Sequence, residues 1–140
     1  MKVLVTGAKG QLASDLVPLL ERGGHTVERF DSRSLDITDP DRVGYEAARL
    51  RPGCVINTAA YTLVDLAEKE RERAFAVNRD GARNLARAAS SIGAPLIHVS
   101  TDFVFDGGKP TPYIEDDLTG PLGVYGASKL SGEEEILKHL

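Results

Sequence analysis

Short apolar runs alternate along the chain with longer stretches whose apolar residues recur every three or four positions. Val3-Leu4-Val5 has the continuous apolar character of a buried strand and stops at Gly7. Gln11 to Arg22 reads as a helix with Leu12, Leu16, Leu19 and Leu20 on one face. Pro18 lies inside it and removes one backbone hydrogen bond, which predicts a mild kink, and Gly23-Gly24 ends it. Thr26 to Phe30 is a second predicted strand. Asp39-Pro40 places an N-cap before a proline at the first helical position, and that helix runs to about Leu50, before Pro52. Cys54 to Asn57 forms a third strand, and Asp65 to Ser91 a long helical stretch with a break near Glu70. Leu96 to Ser100 is the fourth strand. A Gly/Pro-rich loop then leads to Gly123, and Val124 to His139 closes the chain as a helix. Ser34-Leu35-Asp36 leaves room for a short extra strand.

Strands that alternate with helices pair in parallel through right-handed crossovers. The predicted class is therefore α/β, a doubly wound parallel sheet of the Rossmann type. A helix with no strand after it is an unusual end for such a sheet. The 140 residues are accordingly expected to be the N-terminal part of a larger protein, with a substrate-binding part elsewhere.

Composition narrows the function. Lys and Arg number 17 against 21 Asp and Glu, a net charge of -4, which lacks the basic excess of a general nucleic-acid binder. One cysteine, Cys54, excludes an internal disulfide and a Cys-rich metal site and suits a reducing, cytoplasmic setting. The apolar start is too short for a signal peptide, and no stretch approaches the roughly 20 residues of a membrane span.

Thr6-Gly7-Ala8-Lys9-Gly10-Gln11-Leu12-Ala13 joins the first strand to the first helix. Gly7 permits a tight turn, Gly10 lets the backbone approach a pyrophosphate, and the helix start offers free N–H groups to that anion. The expected ligand is a dinucleotide, NADH or NADPH. Asp31 ends the second strand, where a carboxylate accepts hydrogen bonds from a ribose and favours NAD. Arg33, two residues on, suits the 2′-phosphate of NADP, so the preference stays open.

Tyr125 and Lys129 are four apart on one predicted helix and so share a face. A free phenol has a pKa of about 10, and a neighbouring ammonium favours its ionised form. Ser100-Thr101-Asp102 follows the fourth strand, beyond whose carboxyl end ligands sit in such sheets; there the Thr101 hydroxyl can reach a substrate carbonyl. Asn57-Thr58-Ala59-Ala60-Tyr61 follows the third strand, with small residues that leave room for a flat cofactor.

Together, Thr-Gly-x-x-Gly-Gln-Leu, Asn-x-Ala-Ala-Tyr-Thr-x-Val-Asp, Ser-Thr-Asp-Phe-Val-Phe-Asp-Gly and Tyr-Gly-x-Ser-Lys-Leu-x-Gly-Glu resemble the dTDP-4-dehydrorhamnose reductases, a family of extended short-chain dehydrogenases/reductases. The resemblance runs along the whole chain and would cover about the first half of such an enzyme. It implies NAD(P)H-dependent reduction of the 4-keto group of a dTDP-sugar. It places Gly10, Gln11 and Leu12, after the turn at Gly7, at the cofactor pyrophosphate, Asp31 at the ribose, and Asp36 and Ile37 at the adenine. Ala59, Ala60 and Tyr61 would line the cofactor, and Thr101 and Asp102 would meet the sugar. Tyr125 would be the proton donor and Lys129 its partner, which also holds the nicotinamide ribose. Asn78 resembles the asparagine of a proton relay, with a helix–helix hydrogen bond as its other reading. No metal is implied, and a homodimer is compatible.

Two other functions fit parts of this pattern. A dTDP-sugar dehydratase has Glu after Thr-Asp, where this chain has Phe103. A non-catalytic regulatory subunit on the same scaffold, like that of methionine adenosyltransferase, would not need Thr101, Tyr125 and Lys129. The remaining charged and polar residues read as structural: His98 as a satisfied core histidine, and Glu68 to Arg73 and Glu133 to Glu135 as solvated faces.

Overall fold

A computed structural model describes residues 1–140. Four parallel strands form one sheet in the order β2-β1-β3-β4: β1 (Lys2–Thr6), β2 (Thr26–Phe30), β3 (Cys54–Asn57) and β4 (Leu96–His98). Alternation along the strands divides the core. Leu4 and Val55 face α2 (Pro40–Leu50) and α5 (Ala82–Ser91) and pack with Val43, Ala47, Leu50, Leu85 and Ala89. Val3, Val5 and Ile56 point the other way, against Ala13 and Val17 of α1 (Gln11–Arg22). Helices thus cover both faces, which is why the strands read as unbroken apolar runs.

Helix α1 is continuous through Pro18. Its buried residues are Ala13 and Val17, flanked by Leu16 and Leu20, while Leu12 and Leu19 are about half exposed. The contact stripe is thus built on small residues that let the helix sit close to β1. Asp39 caps α2 as expected, its Oδ1 accepting from the amides of Asp41 and Arg42 at 3.1 and 3.0 Å.

The long helical stretch is broken into α3 (Val64–Ala67), α4 (Arg71–Phe75), a π-helical segment (Ala76–Gly81) and α5. Ser34-Leu35-Asp36 forms no strand: Asp31 accepts from the amides of Arg33 and Ser34, folding the residues after β2 into a turn. Strand β4 ends at His98, and α6 runs Val124–Leu137, beside α5 and the π segment.

Candidate active site

The chain reverses direction along the sheet between β2 and β3, so the loops after β1 and β3 diverge and leave a crevice at their carboxyl ends. A cleft of about 930 Å³ lies there. Gly7 opens it. Its φ of +72° suits glycine, and a Cβ at that position would come 2.6 Å from the Ala59 amide nitrogen. Gly10 then N-caps helix α1 without a side-chain bond, and with Gln11 and Leu12 it lines the cleft, so first-turn N–H groups without intrahelical partners lie at the cleft.

Asp31 forms the far wall. Its Oδ1 accepts from Arg33 N (3.0 Å), Ser34 N (2.9 Å) and Ser34 Oγ (2.9 Å), and its Oδ2 is paired with the ammonium of Lys9. Lys9 first, then Ser34, hold this carboxyl far below the ordinary aspartate range. Arg33, Asp36 and Ile37 continue the wall.

The opposite wall is the strand-end segment Thr58 to Tyr61. Asn78 holds it: Oδ1 accepts from Tyr61 N at 2.8 Å and Nδ2 donates to Tyr61 O at 3.1 Å. The same Nδ2 donates to Ser128 Oγ on α6 at 2.9 Å. These bonds run to Tyr61 and Ser128, so in this structure Asn78 is a helix–helix and helix–loop tie. Asn78 is buried within the π segment, a feature often found at functional sites.

Helix α6 lies unusually close to its supports. A Cβ at Gly126 would come 2.2 Å from Phe103 O, and one at Gly132 would come 2.2 Å from Asn78 O. The non-reactive residues of Tyr-Gly-x-Ser-Lys-Leu-x-Gly therefore seat the helix, and Tyr125 and Lys129 face the cleft from it. Phe103 packs edge-on against the Tyr125 ring, centroids 5.7 Å apart. Lys129 is 2% exposed, and burial pushes its pKa down to about 8.

Every residue expected at the cofactor lines this one cleft. Thr101 and Asp102 do not: Thr101 Oγ1 accepts from Phe103 N and donates to Asp102 Oδ1, both at 3.2 Å, capping the short 3-10 turn Asp102–Val104. Lys9, Ser32, Thr62, Arg73 and Ser100 line the cleft without having been expected there. Lys9 carried a signal in its place between the two glycines. Arg73 did not, because its run of alternating charge resembled a solvated face. That face is partly structural: Glu68 Oε1 accepts from Val124 N at 2.7 Å and so caps α6, and Glu70 accepts from Tyr61 Oη at 3.0 Å. Glu133 likewise accepts from the Ser100 hydroxyl. His98 is half-buried, and it bonds to Asn57 and Lys129.

Sheet order, glycine turn and strand-end carboxylate define a Rossmann-type nucleotide-binding fold with a Tyr/Lys pair in its cleft. The chain belongs to the RmlD substrate binding domain family, whose match covers residues 1–140. It is 48% identical over 137 residues to a dTDP-4-dehydrorhamnose reductase of Streptomyces griseus, across 98% of this chain and 45% of that protein. The crystal structure of a dTDP-4-dehydrorhamnose reductase from Clostridium acetobutylicum superposes with a TM-score of 0.97 at 40% identity, over 99% of this chain and 50% of that one. A Bacillus anthracis dTDP-4-dehydrorhamnose reductase in complex with NADP gives 0.96 at 42% identity, over 99% and 49%. The chain thus spans about half the length of the relatives it matches.

Proposed function

We propose that the protein is an NAD(P)H-dependent oxidoreductase that reduces the 4-keto group of dTDP-4-dehydro-L-rhamnose to give dTDP-L-rhamnose. The observation that carries this reading is the convergence of Tyr125 and Lys129 on the cleft formed by Gly7, the start of α1 and Asp31. What supports a dinucleotide is the close Gly7–Ala59 approach beside the cleft, which a Cβ at Gly7 would block, and the uncapped helix start, whose free N–H groups suit a pyrophosphate. Gly7, Gly10, Gln11 and Leu12 would hold the pyrophosphate, Asp31 and Arg33 the adenosine ribose, and Asp36 and Ile37 the adenine. Ala59, Ala60 and Tyr61 would flank the nicotinamide half. The NADP in the Bacillus anthracis relative supports the same ligand class.

When bound, the reduced cofactor supplies hydride to the sugar carbonyl carbon. Tyr125 gives its phenolic proton to the carbonyl oxygen, which becomes the product hydroxyl. Lys129, in its charged form beside Tyr125, favours the phenolate left behind. Thr101, released from its capping bonds, donates to the same sugar oxygen, and Asp102 meets a sugar hydroxyl. Residues 1–140 form the cofactor domain, and the sugar pocket is completed by residues outside them. The proposed setting is cytoplasmic and the enzyme homodimeric; no helix here is long and apolar enough to cross a membrane.

The test is oxidation of NADPH or NADH by the full-length protein supplied with dTDP-4-dehydrorhamnose. Turnover that disappears in Tyr125→Phe, with cofactor binding kept, is the expected result. Tight cofactor binding without turnover in the wild type would instead favour a regulatory subunit.

A further inference from the structure

A partly buried chain of hydrogen bonds runs from β1 to Lys129, and its polarity can be read link by link. The Ala59 amide, which can only donate, points at Asn57 Oδ1 at 3.0 Å. The Thr6 hydroxyl donates to the same oxygen at 2.7 Å. These two donors fix the rotation of the Asn57 amide, so its Nδ2, also only a donor, faces His98 Nδ1 at 2.9 Å. Nδ1 must therefore carry the lone pair. In a neutral imidazole the proton then sits on Nε2. That nitrogen lies 3.2 Å from Lys129 Nζ, which also donates to the Val99 carbonyl.

An ammonium has no lone pair and cannot accept from Nε2–H. A neutral amine can accept there and still donate to Val99. An imidazolium fails at the other end, since its Nδ1–H would oppose the Asn57 amide. We infer that His98 is a positioning residue that holds Lys129 as a neutral amine in this arrangement, so that charging Lys129 requires its head group to leave His98 for the cleft. Three observations agree. Lys129 is almost wholly buried. The other titratable groups that face it are Tyr125 and Glu133 on its own helix, and the Glu133 carboxylate is already engaged by Ser100. Burial, the larger cause, lowers the His98 pKa, which keeps the imidazole neutral.

The consequence for catalysis rests on the reductase reading. The ammonium that favours a phenolate at Tyr125 would require the Lys129 head group to leave His98, and above about pH 8, where the ligand-free lysine is mostly neutral, a ligand in the cleft would draw it out. Proton uptake by Lys129 would then accompany cofactor binding.

The experiment uses the full-length protein without ligand, labelled with ¹⁵N at histidine and lysine side chains. Nitrogen–proton correlation spectra at about pH 7 should show His98 as the neutral Nε2–H tautomer, and Lys129 should titrate near 8, well below a free lysine. An Nδ1–H tautomer, or an imidazolium, at that pH overturns the inference. Asn57→Asp supplies a second arm: it keeps an acceptor for the Ala59 amide and replaces the donor facing His98 with an acceptor. His98 should switch to Nδ1–H, and the proton affinity of Lys129 should rise about tenfold or more. An unmoved lysine titration overturns the inference, while the wild-type spectrum decides it even if the variant fails to fold. In a third arm, calorimetry in buffers of different ionisation enthalpy should find proton uptake on NADPH binding at about pH 8.5, lost in Lys129→Met; binding without uptake overturns the catalytic consequence. The first two arms need neither cofactor nor substrate, so absence of reductase turnover would remove the proposed function and leave the His98 result standing.

Discussion

Asn78 and Ser128 meet across two helices, Nδ2 to Oγ at 2.9 Å, and this bond joins the π segment to the helix that carries Tyr125 and Lys129. The same amide makes both backbone bonds to Tyr61. One buried side chain therefore sets the spacing between the loop after β3 and the helix that carries Tyr125 and Lys129. Asn78→Ala leaves the buried Tyr61 amide and the Ser128 hydroxyl without this partner, and unsatisfied buried groups cost about 1–3 kcal/mol each. Chemical denaturation should show a loss of stability in that range. Cofactor titration should show weaker binding, although Asn78 is not among the cleft-lining residues.

Gly7→Ala meets two penalties at once. A left-handed backbone costs a residue with a Cβ about 1–2 kcal/mol, and forcing that Cβ against the Ala59 backbone costs about 1–3 more. A destabilisation of about 2–5 kcal/mol is expected by denaturant unfolding, with loss of dinucleotide binding. Binding at the wild-type affinity would show that the Gly7–Ala59 approach does not shape the site.

On the reductase reading, Lys9, Arg33 and Asp31 would together set coenzyme choice. Asp31 would accept from a ribose hydroxyl but repel a 2′-phosphate, whereas the cations of Lys9 and Arg33 would attract that phosphate. Asp31→Asn should weaken NADH binding about tenfold while sparing NADPH, and Arg33→Ala should weaken NADPH selectively, more so at low salt. Fluorescence titrations with both cofactors check this; equal effects of each variant on NADH and NADPH would contradict it.

Lys129 works against stability. Its pKa is about 8 when folded and near 10.5 when unfolded. Between those values the unfolded chain holds a proton that the folded one has released, so stability rises as pH climbs from 8 to 10.5 and is flat below 8 through this group. The full difference corresponds to about 3 kcal/mol. Lys129→Met should therefore stabilise the protein at about pH 7 by about 1–3 kcal/mol, less the lost bond to Val99, and should abolish that rise. Denaturation curves across this pH window are the measurement.

The strands, the two glycines of the first turn and the Tyr/Lys helix were legible in the sequence because each has a local cause: an apolar run, a conformational requirement, a four-residue spacing. The stripe of α1 is half legible in its leucines: Leu16 and Leu20 pack on the core, but Leu12 and Leu19 are about half exposed, and close packing on β1 selects Ala13 and Val17. The expected strand at Ser34 to Asp36 gave way to a turn tied by Asp31, a side-chain effect that hydrophobic pattern does not record. The π segment changes no composition, so the burial of Asn78 within it was hidden, as was the cap that Glu68 places on α6, 56 residues away. His98 read as a satisfied histidine. It is satisfied, and only the spatial order of β3, β4 and α6 shows that Lys129 is one of its partners.

The most direct test of the central claim follows the absorbance of reduced nicotinamide while the full-length protein and its Tyr125→Phe variant act on dTDP-4-dehydrorhamnose. Wild-type turnover should fall by about 10²–10⁴-fold in the variant with cofactor affinity unchanged, as expected for loss of a positioned proton donor. A variant that turns over as fast as the wild type would contradict the account.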